Sequence, residues 1–287
     1  MAVFLTNNKV AKNRLITPFL KWVGGKRQII SFITELLPKN IGQYNYVEPF
    51  VGGGAVLFDL QPKKAIINDF NSELINVYTV IKDNFEELII DLKKHKNEAD
   101  YFYQIRSLDR NGSYSQLSTV EKASRIIYLN KTCYNGLYRV NNAGEFNAPF
   151  GRYTNPNIVN ESTLKVVHKY LNSIDIQIMN VDYEIVLKEL DRTAFVYLDP
   201  PYHPVSETSF TGYIQGGWNI YDQVRLRDAC NDLNRKGIKF LLSNSATGFI
   251  FDLYKEFNIK IIKANRLINS NRNKRGEIDE VLIWNYE

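Results

Sequence analysis

The chain has 287 residues, 44% of them hydrophobic, and a moderate net charge of +5, which fits one large α/β domain or a domain carrying an insertion. No apolar run approaches the ~20 residues of a membrane span, and residues 1–14 lack the apolar core and small-residue cleavage site of a signal peptide, so a mature cytoplasmic protein with no membrane partner is expected. Cys133 and Cys230 make no disulfide framework, and His95, His168 and His203 stand in no metal-ligand pattern, which argues against metal sites and histidine-dependent triads.

Residues 1–17 read as a loose arm. In Phe19-Leu20-Lys21-Trp22-Val23-Gly24-Gly25-Lys26, the glycine pair turns the backbone ahead of a helix with Ile29, Ile33, Leu36 and Leu37 on one face. That turn could receive an anionic ligand with Lys26 as its cation, or it could be no more than a helix start. A short strand around Tyr46 and Val47 then runs into the loop Glu48-Pro49-Phe50-Val51-Gly52-Gly53-Gly54, and a helix begins near Ala55. This layout brings backbone close to a nucleotide-like ligand, although the dinucleotide glycine spacing and the phosphate-loop lysine are both missing. A second apolar strand ends at Asp69, where a carboxylate can take both hydroxyls of a ribose. Asp69 can equally cap the following helix, whose apolar face is Leu74, Val77, Tyr78 and Ile81.

The pattern changes between about residues 72 and 160. Helical periodicity runs through Phe85, Leu88, Ile89 and Leu92, and a capping box at Ser118 and Glu121 opens a further helix. The stretch 132–147 then alternates and turns at Asn142-Ala143-Gly144, as a hairpin does. Its arginine, asparagines and aromatics could read base edges and fill gaps in a base stack, or form a packed surface ribbon. Alternating α and β returns after residue 160: strands over 176–181 (ending at Asp182-Tyr183), 195–198, 238–242, 259–264 and 281–286, with a helix carrying Leu226, Ala229, Cys230 and Leu233 stopped by Gly237. From Lys255 to Gly276, seven Lys/Arg stand against one acid, Glu256. That stripe suits phosphate contacts, and a solvated loop explains it as cheaply.

Two prolines stop the strand over 195–198 at Asp199-Pro200-Pro201-Tyr202, because proline lacks a ladder donor and restricts the residue before it. Asp199 and the Pro200 carbonyl can each accept a hydrogen bond from an exocyclic amine, neither proline offers a competing N–H, and Tyr202 can stack on a flat ring. Alone, the string is equally a strand followed by a proline turn.

Taken together, the motifs from Phe19 to Lys26 and Glu48 to Gly54, with Tyr134-Asn135-Gly136-Leu137, Gly144-Glu145-Phe146-Asn147 and Asp199-Pro200-Pro201-Tyr202, resemble the Dam-type, alpha-group DNA adenine-N6 methyltransferases, close to their restriction-modification members. The likeness covers nearly the whole chain. It implies a Rossmann-like α/β methyltransferase sheet formed by residues 1–71 and 161–287, with residues 72–160 an inserted helical and β-hairpin DNA-recognition domain. It implies S-adenosylmethionine as cofactor, its methionine part held by Trp22, Lys26, Glu48, Pro49, Phe50, Gly52 and Gly54. Asp69 would take the ribose, Asp182 and Tyr183 the cofactor's adenine, and Asp199 would border the cofactor as well as the substrate. Asp199, Pro200, Pro201 and Tyr202 would hold an adenine flipped out of double-stranded DNA, within GATC. Lys21, Tyr134, Asn135, Leu137, Arg139, Asn141, Arg152 and Tyr153 would contact the DNA site, with Arg272, Lys274 and Arg275 on phosphates. The loop 206–218 would order over the flipped base. No metal is implied, both cysteines are structural, and any cognate restriction endonuclease would act on the same site without a stable complex. The rival readings are cytosine-N4 methylation, methylation of RNA or of a protein glutamine, and a catalytically silent DNA-binding protein.

Overall fold

The computed structural model describes residues 12–22, 24–205, 218–265 and 277–287. Its centre is a seven-stranded sheet in the order β3-β2-β1-β4-β5-β7-β6. The strands are β1 (Asn45–Glu48), β2 (Lys64–Asn68), β3 (Asp175–Met179), β4 (Ala194–Leu198), β5 (Lys239–Ser245), β6 (Asn258–Asn265) and β7 (Glu277–Trp284). The first five in that order are parallel, and β7 runs antiparallel to both β5 and β6. All five residues of β4 are buried, as a parallel strand covered on both faces requires. Successive side chains go to opposite sides: Phe195 and Tyr197 join one apolar cluster, Val196 and Leu198 the other.

The first cluster lies under α1 (Ile30–Leu36), α2 (Ala55–Leu60), α3 (Ser72–Asp83) and α7 (Glu161–Ser173), and continues without a break through α4 (Phe85–Leu92), α5 (Ala99–Ser107) and α6 (Thr119–Thr132). The second is covered by α8 (Tyr183–Lys188), α9 (Ile220–Arg235) and α10 (Gly248–Leu253). The expected capping box at Ser118 and Glu121 is present, and the helix start after Gly24-Gly25 is a 3₁₀ turn, Lys26–Gln28, leading into α1. Helix α3 is capped by Asn71, whose side chain accepts from Leu74 N, so Asp69 is not its N-cap. The expected hairpin is present and short: around the Val140↔Phe146 bridge Asn141 N donates to Glu145 O and Asn147 N to Arg139 O, and a second bridge joins Cys133 to Phe150. Between the two bridges lies a 3₁₀ turn over Tyr134–Gly136, with Asn135 left-handed at φ 57°.

β1 lies between β2, which follows it, and β4, reached only after a long excursion, so the sheet's order reverses there. Open α/β sheets leave a crevice for ligands at the carboxyl edge of such a switch point. The Glu48–Gly54 loop, Asp69 and Asp199 all leave their strands at that edge.

Candidate active site

Asp199 follows directly on β4, and its side chain is 19% exposed. Its Oδ1 receives two donors, the Lys26 ammonium at 2.7 Å and the Ser243 hydroxyl at 2.9 Å. The Lys26 Nζ also donates to Gly24 O at 2.6 Å and stands 4.7 Å from the centre of the Tyr202 ring. Tyr202 donates its hydroxyl to Glu280 of β7 at 3.0 Å. Burial pushes the Asp199 carboxyl above the ordinary carboxylate range, while Lys26 and Ser243 pull it back toward the ionised form. The Pro201 carbonyl accepts from Gln223 at 3.0 Å, and Gln223 is held by Asn244, which also accepts from His203 N. Among the described residues none donates to the Pro200 carbonyl. The structure therefore presents a carboxylate and a rigid carbonyl beside an aromatic face, the arrangement an exocyclic amine on a planar ring requires.

The glycine loop forms the adjoining wall. A Cβ on Gly52 would stand 3.1 Å from the Trp22 ring, and one on Gly53 3.0 Å from the Trp22 Cβ, so Trp22 packs directly against this backbone. On its other side Trp22 stacks on Tyr138, with ring centres 4.9 Å apart. Gly54 has φ +71°, and a Cβ there would meet the Tyr78 hydroxyl at 2.6 Å and the Phe58 ring at 2.8 Å. Gly54→Ala is therefore expected to destabilise the fold by about 3 kcal/mol, read as a lowered melting temperature; an unchanged one would show that the loop yields. Asp69 accepts from Gly52 N and Asn71 N, both at 3.0 Å, which draws β2's end against the loop. Burial dominates its titration and raises it from 3.8 to about 6, against the pull of those two N–H groups. Glu48 is buried, hydrogen-bonded at 2.8 Å by the Tyr46 hydroxyl, and burial raises it well above the usual carboxylate range. Asn68 ties the loop to the end of β3, donating to Pro49 O and Val181 O and accepting from Val181 N.

Phe50, Tyr183 and Trp218 make a third wall, with ring centres 5.1 to 5.9 Å apart. Asp182 caps α8 through Glu184 N and pairs with Arg225, which also pairs with Glu184 and lies over the Tyr183 ring. Tyr183 Oη and Trp218 Nε1 are buried without a hydrogen-bond partner among the described residues. Two unsatisfied donors in an aromatic slot, a cradle of backbone without side chains, and a carboxylate at a strand end suit an adenosine carrying a polar tail. S-adenosylmethionine is such a molecule, and these residues fit it.

The described members of the remaining residues singled out in the sequence lie on the 132–153 segment, with Lys21 beside it. Lys21 is exposed, its backbone pinned by Asn130 of α6, with its ammonium 5.3 Å from the Tyr153 ring centre. Tyr134, Asn135 and Arg152 are exposed, and Leu137 is half-buried. Arg139 donates to both the side chain and the backbone carbonyl of Asn147. Asn141 builds the turn itself, accepting from Ala143 N and Glu145 N and donating to Glu145. Asp109 anchors this segment to the helices: it accepts from Phe146 N at 2.8 Å and pairs with the buried Arg125 at 2.7 Å. Arg272, Lys274 and Arg275, and the loop 206–217, lie outside the described residues.

Reasoning from sequence missed Asn68, Ser243, Gln223, Asn244, Arg225 and Glu280, and set Trp218 in the loop over the flipped base, where the structure packs it against Phe50 and Tyr183. One signal was available. β5 breaks from Phe240-Leu241-Leu242 into Ser243-Asn244-Ser245, three buried polar residues at a strand end, and such groups need partners.

Among the described residues no helix is long and apolar enough to cross a membrane, and no group of three or more His, Cys, Asp or Glu could hold a metal ion. A family model described as D12 class N6 adenine-specific DNA methyltransferase matches residues 22–268. The chain is 47% identical over 284 residues to "Type II methyltransferase M1.LlaDCHI" of Lactococcus lactis subsp. cremoris, covering 97% of this chain and 99% of that protein. It is 45% identical to "Type II methyltransferase M.MjaIII" of Methanocaldococcus jannaschii, over 94% of this chain and 99% of that one. With the "DNA adenine methylase" of Escherichia coli K12 it shares 34% identity over 94% of this chain and 95% of that protein.

Proposed function

Because the chain belongs to the D12-class N6 adenine-specific DNA methyltransferases, we propose that it moves the methyl group of S-adenosylmethionine to N6 of an adenine flipped out of double-stranded DNA, within GATC. The observation that carries the reading is the pairing of the Asp199 carboxylate and Pro200 carbonyl beside Tyr202, at the switch point of the sheet. The cofactor, when bound, supplies an electrophilic methyl on a sulfonium. Trp22, Lys26, Pro49, Phe50, Gly52, Gly54 and the buried Glu48 beneath them hold its methionine end, Asp69 its ribose, and Asp182 with Tyr183 its adenine.

Adenine N6 is a poor nucleophile because its lone pair is delocalised into the ring. Asp199 and the Pro200 carbonyl accept hydrogen bonds from its two N–H groups and favour a pyramidal nitrogen, whose lone pair would take the methyl as the bond to the donor's sulfur breaks, the N6 proton passing to the Asp199 carboxylate or to water. Pro201 keeps the turn stiff, and Tyr202 stacks on the base. Positioning and preorganised charge supply the acceleration, and both cysteines are buried and have no part in it. Flipping costs about a few kcal/mol of stacking and pairing. Residues 72–160, as the recognition part of the chain, offset it with Lys21, Tyr134, Asn135, Leu137, Arg139, Arg152 and Tyr153 on the DNA; Asn141 acts there by shaping the turn. Arg272, Lys274 and Arg275 contact phosphates. The relatives named type II methyltransferases support a modification role beside a restriction endonuclease that recognises the same site and forms no stable complex.

Incubation with methyl-labelled S-adenosylmethionine and duplexes with and without GATC should put label on N6-methyladenine only where GATC is present. Label on adenine in another sequence would overturn the site assignment, and no label on adenine would overturn the reaction.

Asp69 adds a pH signature. Its folded-state carboxyl titrates at about 6 and its ordinary value is 3.8, so the folded chain holds that proton more tightly and loses stability as pH climbs between the two. The ribose needs the carboxylate, so cofactor affinity moves the other way. Below pH 6 the cofactor Kd is expected to weaken by about tenfold per pH unit, measured by equilibrium dialysis, and Asp69→Asn should flatten the profile. A pH-independent Kd for the native chain would exclude this role for Asp69.

A further inference from the structure

Ser243 is fully buried in β5 and one hydrogen bond from the reacting end of Asp199. A serine hydroxyl carries one hydrogen, and this one goes to Asp199 Oδ1. Tyr197 Oη, 3.1 Å from Ser243 Oγ and also fully buried, must then donate to the serine. The result is a directed chain, Tyr197 to Ser243 to Asp199, that ends on a single oxygen of the carboxylate. Lys26 adds its ammonium to that same oxygen. Oδ2 has no partner among the described residues.

We propose that Ser243, backed by Tyr197, is a positioning residue for methyl transfer: it locks the Asp199 rotamer through Oδ1 so that Oδ2 is the oxygen offered to the target amine. The proposal rests on the assignment of Asp199 as the amine acceptor. β4 and β5 are neighbours in parallel register, with Tyr197 opposite Leu241 and Leu198 opposite Leu242. Ser243 is therefore the next β5 residue along, level with Asp199, so the backbone itself sets the two side chains side by side. A free carboxylate swings about its Cβ–Cγ bond and presents either oxygen; a carboxylate fixed by two donors on one oxygen presents only the other. That is preorganisation of an acceptor before substrate arrives.

The charged and titratable groups around Asp199 come from every neighbouring element. Lys26 reaches it from the glycine turn, Glu48 from the end of β1 and Asp69 from the end of β2. Tyr197, Tyr202 and, through Tyr202, Glu280 complete the ring. Against the burial that raises it, Lys26 and Ser243 favour the ionised form of Asp199, so losing the serine should make the carboxylate harder to keep.

The test is kcat against pH at saturating cofactor and duplex, which removes the Asp69 limb. Ser243→Ala should lower kcat by about tenfold with both KM values little changed, and move the acid limb of kcat upward by about one pH unit. Tyr197→Phe should move the limb in the same direction by less, and it decides the matter if Ser243→Ala does not fold. An unmoved acid limb, with or without a fall in kcat, would overturn the proposal by showing a merely structural serine. Asp199→Ala run alongside separates the two layers. If it keeps full turnover, the Asp199 assignment itself fails; if it is inactive while Ser243→Ala behaves as wild type, only the role of Ser243 is lost.

Discussion

Asp199→Ala is expected to lower the single-turnover rate of methyl transfer by about a thousandfold, on the scale of removing one preorganised group from a site of developing charge. Two effects combine. N6 loses the acceptor that orients one of its hydrogens, and Lys26, only 8% exposed at its side chain, loses the carboxylate 2.7 Å away. A buried ammonium without its partner is costly, so the melting temperature should fall as well. The other contacts proposed for the cofactor, at Trp22, the glycine loop and Asp69, lie on other segments of the chain, and cofactor binding measured by dialysis should survive. A variant that binds cofactor and methylates at the native rate would remove Asp199 from the mechanism.

Asp109→Ala is expected to cost about 3–5 kcal/mol of stability, the range for breaking a buried ion pair from one side. Arg125 is 3% exposed and its guanidinium would keep two carbonyl partners, Ile105 O and Arg106 O, and the Tyr114 ring, with no anion. The backbone N–H of Phe146 would lose its acceptor. The arm 137–147 carries Arg139 and Asn141, and it is held to the helices here and by Arg110, which donates to Phe146 O. With the anchor gone, duplex affinity should drop while cofactor affinity holds, two titrations that separate a loosened recognition face from a damaged catalytic one. Equal losses of both affinities would mean that the segment and the sheet fold as one cooperative unit.

Strand ends were readable in the sequence because two prolines, three glycines and an acid stop apolar runs there, and backbone chemistry at such points is local. The order of motifs along the chain then carried the family. What sequence could not supply are pairings between distant segments. Nothing in Gly24-Gly25-Lys26 says that the lysine reaches Asp199, and nothing near Ser243 names Tyr197 as its donor. Asp69 shows the same limit at short range. It and Asn71 are both good caps, and only the pull of Gly52 N on the Asp69 carboxylate decides that Asn71 caps α3. Alternation over 132–147 marks the turn at Asn142-Ala143-Gly144, and it does not reveal that Asn135 turns left-handed between the two bridges.

The reversed strand β7 has a consequence for how the substrate meets the site. β6 runs parallel to β5, so the chain leaves the sheet at Asn265 and re-enters at Glu277 on the edge that carries Asp199. Glu280, three residues inside that return, pairs with Ser245 across the ladder and receives the Tyr202 hydroxyl. The strand ends that flank residues 266–276 thus both lie on the sheet edge that carries Asp199, and one of those strands holds the Tyr202 ring through Glu280. On the proposed function, with Arg272, Lys274 and Arg275 on phosphates, tension along the DNA backbone would reach that ring through a few residues of strand.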